Sequence, residues 1–463
     1  MRALLPLAAA LTLAGCASLS PDGGFGPVQQ AVRQHVGAEL RWARDDAARD
    51  AIDRRVAELL AQPLDAASAV QLALLTHRGL QARFAELGIA EAEFVMASRL
   101  PNPGFGFGRT MKGDEREIER SLHLNLTRWL LTPWLGEQAG RQLEQTRRAL
   151  IQAVLDHAGQ TRKAWVEAVA AEQFVKYMGQ VMQAAEASAE LARRMQQVGN
   201  FSKLQRAREQ AFYADAALNV ARAEQQQRAA RERLTRLLGL WGGQTAFRLP
   251  ERLPDLPASL PERPDIEREG LAQRLDVQAA RLAVEHTAIS LGMVRSTRLI
   301  GNVDLGLAYN GSNEAPVQRG WEIGFELPIF DWGGPRTARA EQAWRQALDR
   351  AAELAIDARS EIREADGQRR SALHIARHHR EEIVPLRARI AEENLLRYNG
   401  MLIGVFELLA DARAQIASVN AAIDAERDFW LADADLQMAL VGKARPSALA
   451  GPSGPAAAGG DPH

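Results

Sequence analysis

The chain carries the same features twice. Two sets of segments about 200 residues apart match in the same order, a period far longer than any solenoid unit, so the fold must consist of two related halves. ELGIAEAEFVMASRLPNPGFGFG, ending at Gly108, matches EHTAISLGMVRSTRLIGNVDLGL, ending at Leu307. In each, a helical pattern reaches a basic residue and passes into an alternating, glycine-containing stretch. LHLNLTRWLLTPWLGEQAG matches WEIGFELPIFDWGGPRTA, where alternation gives way to proline, aromatic residues and glycine before a long helix. RRMQQVGNFSKLQRAREQ and LLRYNGMLIGVFELLADARAQ are both helices interrupted by a glycine, Gly199 and Gly400.

Each half therefore reads helix, two strands, long helix, turn, helix. From Leu135 to Gln197 no proline occurs, so one helix of about 60 residues is expected, and Pro385 predicts a break in the matching span of the second half. Flanking helices are expected near 65–98 and 203–238. Leu191, Met195 and Val198, or Leu218, Ala221 and Ala229, recur at helical spacing, and abundant alanine lets such helices approach closely, as in a helical tube or coiled-coil array. Between the halves, prolines at 250, 254, 257, 261 and 264 fix φ and remove donors, predicting an extended linker. Residues 17–64 are less regular, with a helical pattern near RDDAARDAIDRRVAELLAQ, and the small, Pro- and Gly-rich C-terminus reads as a disordered tail.

The alternating stretches point to a membrane. Phe105 and Phe107 alternate with glycines. Leu122, Leu124 and Leu126 oppose Ser121, His123, Asn125 and Thr127, Val303, Leu305 and Leu307 oppose Asn302, Asp304 and Gly306, and Ile323 and Phe325 oppose Glu322 and Gly324. Apolar outside and polar inside is the dyad of outer-membrane strands, although soluble sheets also alternate. Trp129, Trp134, Trp321, Trp332, Tyr309 and Phe330 cluster at the strand ends, where interfacial aromatic girdles belong. Nothing past the N-terminal segment offers the apolar run of a transmembrane helix. Four strands cannot close a barrel, and open edges are not tolerated in lipid, so the chain is expected to oligomerise. Three copies would give twelve strands, but the pattern alone does not choose three over two or four.

The single cysteine, Cys16, has no partner for a disulfide or a redox pair. It follows Arg2 and an apolar run from Ala3 to Ala14, the size of a signal-peptide core. Leu13-Ala14-Gly15-Cys16 resembles a bacterial lipobox, in which the thiol is acylated and becomes the new N-terminus. An ordinary secretory signal with an incidental cysteine is the alternative. Ala17 in place of aspartate is a feature that, in such lipoproteins, favours the outer membrane.

With the lipobox, RLPNPGFGFG at 99–108, LPIFDWGG at 327–334, and the glycine turns followed by FSKLQRAREQ and GVFELLADARAQ, the chain resembles the TolC family of outer-membrane efflux proteins from about residue 65 to 442. The resemblance implies an α+β membrane protein: a homotrimeric twelve-stranded β-barrel, four strands per chain, continuous with a long α-helical barrel in the periplasm. It implies a channel for solutes working with a periplasmic adaptor protein and an inner-membrane transporter. A type I protein-secretion duct shares the fold, and a pore-less lipid-anchored periplasmic coiled-coil scaffold is the alternative without a channel. The expected divisions are a signal peptide at 1–15, an anchor and equatorial segment at 16–64, a first repeat at 65–246, the linker at 247–265, a second repeat at 266–442 and a tail at 443–463.

By position, the resemblance places adaptor-docking helix tips at Val198, Gly199, Asn200 and Ser202, and at Asn399, Gly400 and Met401. Gly199 and Gly400 are also read as helix caps at positive φ. Glu407 and Asp411, spaced i,i+4, are the gate candidates, with a solvated helix face as the other reading. Phe105, Phe107, Leu122, Leu124, Leu126, Val303, Leu305, Leu307, Ile323 and Phe325 would face outer-membrane lipid.

No HExxH, Walker or Gly-x-Ser-x-Gly motif is present, and no enzyme activity or cofactor is expected. A net charge of -1 gives no general field for nucleic acid. His374 and His378 have an i,i+4 spacing that suits a metal, with His379 adjacent, but they stand in the charged stretch HIARHHREE, where a solvated surface is the simpler reading and no metal site is expected.

Overall fold

In the computed structural model, residues 18–297, 301–326 and 329–443 are described. They form α1 (Gly26–Val36), α2 (Asp46–Leu60), α3 (Ala66–Thr76), α4 (Arg78–Ser98), β1 (Gly104–Lys112), β2 (Glu115–Asn125), α5 (Leu126–Gln197), α6 (Lys203–Leu238), α7 (Ile266–Gln273), α8 (Leu275–Thr297), β3 (Val303–Ser312), β4 (Gln318–Phe325), α9 (Gly334–Arg377), a π-helical turn at His378–Ile383, α10 (Val384–Asn399) and α11 (Val405–Val441). The order helix, two strands, long helix, helix occurs twice, as the repeat predicts.

The helix boundaries follow from local chemistry. Asp65 caps α3 by accepting from the Ser68 amide at 2.7 Å, and His77, at ψ 110°, breaks the helix expected over 65–98 into two. α5 has 72 residues and begins earlier than expected. The Asn125 side chain accepts from the Arg128 amide at 2.6 Å, so the chain leaves the strand one residue before Leu126. Leu126 is therefore the first residue of a helix and not a lipid-facing strand residue. The break foreseen at Pro385 is the π-helical turn just before it, in which the wider register accommodates a residue that lacks an N–H.

The chain divides into two units, each assembled from three segments. One comprises residues up to 31, 82–152 and 275–357, and the other 32–81, 153–274 and 358 onward. The first holds the sheet, an antiparallel meander in the order β1-β2-β3-β4, in which the pairing of β2 with β3 joins the hairpins of the two halves. The hairpin turns are tied together by Asn313, which accepts from the Arg116 amide at 2.6 Å and donates to the Asp114 carbonyl at 2.9 Å. Phe25 meets Phe84 edge-on nearby in sequence terms to the buried Leu87, with ring centroids 4.9 Å apart.

The second unit carries the larger core. Leu64, Leu72, Val169, Leu234 and Leu238 are fully buried with Trp165, whose indole donates to the Leu64 carbonyl at 2.7 Å. Residues 246–265 contain no helix or strand, as the prolines dictate, yet they are strapped down. Leu253 is buried, Trp430 donates to the Pro254 carbonyl at 3.2 Å, and Arg377 donates to the Pro257 carbonyl at 2.6 Å. Beyond the strap, the wholly buried Arg274 donates to Glu361 at 2.7 Å.

Candidate functional site

The register sorts the sheet into two faces. Phe105, Leu122, Leu307 and Trp321 are cross-strand neighbours, as are Leu124, Leu305 and Ile323, and Val303 and Phe325. All of these lie on one face, with Phe107 and Tyr309 in the next row. The opposite face carries glycines, Ser121, His123, Asp304 and Glu322. Phe105 and Trp321 are 70% and 72% exposed, so the apolar face has no partner among the described residues. Every predicted lipid-facing residue except Leu126 shares this face.

Where strand becomes helix, a polar cluster links the repeats. Asn125 donates to Asn302 at 2.7 Å and to Asp304 at 3.0 Å, and the Thr127 hydroxyl donates to the Gly301 carbonyl and accepts from the Val303 amide. Exposed Trp129, Trp134, Phe330 and Trp332 follow the strands in sequence.

The two helix tips are built alike. At the end of α5 the Asn200 amide reaches the Met195 carbonyl (2.9 Å) and the Gly199 amide the Gln196 carbonyl (3.1 Å), with Gly199 at φ +83°. At the end of α10 the Leu402 amide reaches Arg397 (2.9 Å) and the Met401 amide reaches Tyr398 (2.9 Å), with Met401 at φ +60°. Both are Schellman closures. Gly400 has φ −80°, so the expectation of a positive φ there is corrected: Met401, not Gly400, is the counterpart of Gly199. By the same offset Ser202, which caps α6 in a complete capping box with Gln205, corresponds to Gly404, and Gln205 corresponds to Glu407.

Glu407 thus stands in the first turn of α11, where a carboxylate suits the helix dipole whatever else it does. Asp411 lies one turn on and accepts from the Asn394 side-chain amide of α10. Around the tips, Val198, Leu204, Met401 and Leu402 are large, apolar and exposed. Asn399, Asn200 and Ser202 complete the turns. His378 pairs with Glu382 at 3.1 Å, away from any convergence with His374, and among the described residues no three metal-ligating side chains come together. Cys16 lies outside the described residues, and no helix among those described is long and apolar enough to cross a membrane.

The architecture has close counterparts among solved structures. It is similar to a membrane protein from Pseudomonas aeruginosa (TM-score 0.70, 18% identity, 84% of this chain and 94% of that one). It is also similar to the outer-membrane channel OprN (0.67, 18%, 86% and 92%) and to the MtrE outer membrane channel of Neisseria gonorrhoeae in its open state (0.67, 17%, 84% and 89%). The chain has the fold of outer-membrane channel proteins. No family model matches its sequence, and no curated protein matches it either.

Within this channel fold several residues escape a reading by pattern. Glu209, the counterpart of Asp411 by the tip offset, is buried and accepts from the Ser188 hydroxyl at 2.8 Å. The His77 and His157 rings meet at a 39° tilt with centroids 4.1 Å apart. Burial first, and the neighbouring His77 second, push the His157 imidazole down to about 4, against the Leu237 carbonyl, 2.9 Å from Nε2, which opposes the shift. Nothing in the spacing of residues 77 and 157 signals this pair. The EREIER run of β2, by contrast, was a visible signal for charge on both faces of the sheet.

Proposed function

We propose that this chain is the outer-membrane channel of a tripartite efflux system, belonging to the TolC-like outer-membrane factors. Three copies close the four-stranded sheets into a twelve-stranded barrel, the helices form a periplasmic tube, and acylated Cys16 adds a lipid anchor. The observation that carries the reading is the sheet itself, with an exposed apolar face and two edges, β1 and β4, that are unpaired among the described residues. Such a sheet is stable in lipid only when its edges are paired by further strands. Exposed Leu191 and Leu218 on the long helices likewise suit packing against other copies. The adaptor docks at the apolar tips around Val198, Gly199, Asn200, Ser202, Asn399, Gly400 and Met401, and an inner-membrane transporter supplies the solute. Glu407 and Asp411 line the periplasmic constriction.

Purified protein should run as a heat-modifiable trimer and conduct in planar bilayers. Leu305→Arg, on the apolar face, should cost about 2–4 kcal/mol and block insertion, while Ala308→Arg, on the other face, should be tolerated. Insertion of both variants alike would overturn the assignment of faces. Aspartate at Val198 or Leu402 should abolish efflux from cells while the trimer still assembles, and normal efflux would remove the docking assignment. Unchanged conductance and cation preference in Glu407→Gln and Asp411→Asn would remove the gate. Cys16→Ser behind a non-lipoprotein signal should still give a channel.

A further inference from the structure

The charges of the sheet are segregated by face. Along β2 the sequence Glu115-Arg116-Glu117-Ile118-Glu119-Arg120 alternates, so the three glutamates share one face and the two arginines the other. Arg109 of β1 pairs with Ile118, and Arg319 of β4 pairs with Tyr309, which itself pairs with Arg120. Four arginines therefore stand on the apolar face, all toward the hairpin turns and away from the helices.

Their setting is specific. Arg120 and Arg319 approach Tyr309 from its two neighbouring strands, with Cζ 5.6 Å and 5.4 Å from the ring centroid. Phe107 completes that row beside Arg120. Among the described residues none of the four guanidinium groups forms an ion pair with a carboxylate, because the strand alternation sends the glutamates to the other side. A cation on the lipid side of a barrel is costly near the midplane and nearly free at the interface, so this row marks the upper edge of the apolar band. Planar guanidinium groups spread over three successive rows, Arg120 with Arg319, then Arg109, then Arg116, with apolar rows directly beneath the first, match phosphate above acyl chains.

We propose that Arg109, Arg116, Arg120 and Arg319 form a docking surface for the phosphorylated glycolipid of the outer leaflet, its phosphates paired by the arginines and its chains lying on the apolar rows. The proposal rests on the reading of the sheet as a membrane wall with its hairpin turns facing outward. It adds a ligand that the channel reading does not require.

The test reconstitutes the purified full-length trimer in phosphatidylcholine vesicles containing either diphosphoryl lipid A or phosphatidylglycerol, and measures retained lipid by native mass spectrometry. Wild type should retain lipid A about tenfold better than Arg120→Gln/Arg319→Gln, and Arg109→Gln/Arg116→Gln provides an independent second pair. Glu117→Gln/Glu119→Gln, on the other face, should retain it like wild type. Equal retention by wild type and either arginine pair overturns the proposal, as does wild-type retention of phosphatidylglycerol equal to that of lipid A. Conductance in pure phosphatidylcholine bilayers separates the two readings. Arginine variants that conduct and keep the lipid overturn the docking surface alone, whereas a wild-type chain that neither trimerises nor conducts overturns the membrane wall and the docking surface together.

Discussion

Gly239 and His77 meet backbone against backbone: a Cβ on Gly239 would lie 3.0 Å from the His77 Cα and 3.2 Å from the Thr76 carbonyl oxygen. Gly239 also closes α6 at φ +64°. Gly239→Ala therefore adds a left-handed strain of about 1 kcal/mol to a clash with main chain that cannot swing away, for a loss of about 2–4 kcal/mol. Gly199, at φ +83° with nothing within 4 Å of its Cβ position, supplies the control, and Gly199→Ala should lose only about 1 kcal/mol. Denaturant titration of the two variants measures the difference, and equal losses would refute the role of the contact.

The His77–His157 contact predicts a pH dependence. The Leu237 carbonyl can only accept, so the neutral His157 ring donates through Nε2. With the folded pKa at about 4, below the usual histidine value of 6.5, the unfolded chain binds the proton first. Stability contributed by the neutral ring is present above pH 6.5 and is lost as pH falls from there toward 4, at up to about 1.4 kcal/mol per unit. His157→Gln should flatten that part of the curve. An unchanged slope between pH 7 and pH 5 in urea titrations would show that the loss comes from elsewhere.

Arg274 offers a contrast between charge and hydrogen bonding. Its side chain is 0% exposed, and Glu361 supplies its carboxylate. Glu361→Leu removes this carboxylate from a buried cation that also reaches the Ala439 carbonyl at 3.4 Å, and should cost about 3 kcal/mol. Glu361→Gln keeps an acceptor and should cost roughly half as much. Melting curves of the two variants that coincide would mean that solvent or another group already neutralises Arg274.

Met401 holds a left-handed conformation that glycine adopts without strain. Met401→Gly should relieve about 1 kcal/mol at the tip and slow amide exchange at Leu402, whose amide closes the turn onto Arg397. Faster exchange at that amide would show that the methionine side chain holds the turn in place.

How far the sequence reveals this molecule depends on the range of the forces at each position. Period-2 alternation fixes the face of Leu122 or Leu305 because a one-residue slip would invert the whole strand. The end of β2 is hidden because LHLNLT continues the alternation past Asn125, while the decisive event is one hydrogen bond that the Arg128 amide donates to the Asn125 side chain. The turn at Gly400 is hidden for a related reason, since glycine marks where a left-handed residue is cheap and not where the hydrogen bonds put it, which is at Met401. Glu209, Arg274 and the His77–His157 pair depend on neighbours 21, 87 and 80 residues away in the chain, distances at which no local pattern survives.

The two tips also share one course of the main chain. Both place a left-handed residue three positions before the cap of the following helix, at Gly199 before Ser202 and at Met401 before Gly404. One turn has both the glycine and the capping side chain, and the other has neither. The same backbone path therefore carries two different surfaces, one small and polar and the other long and apolar.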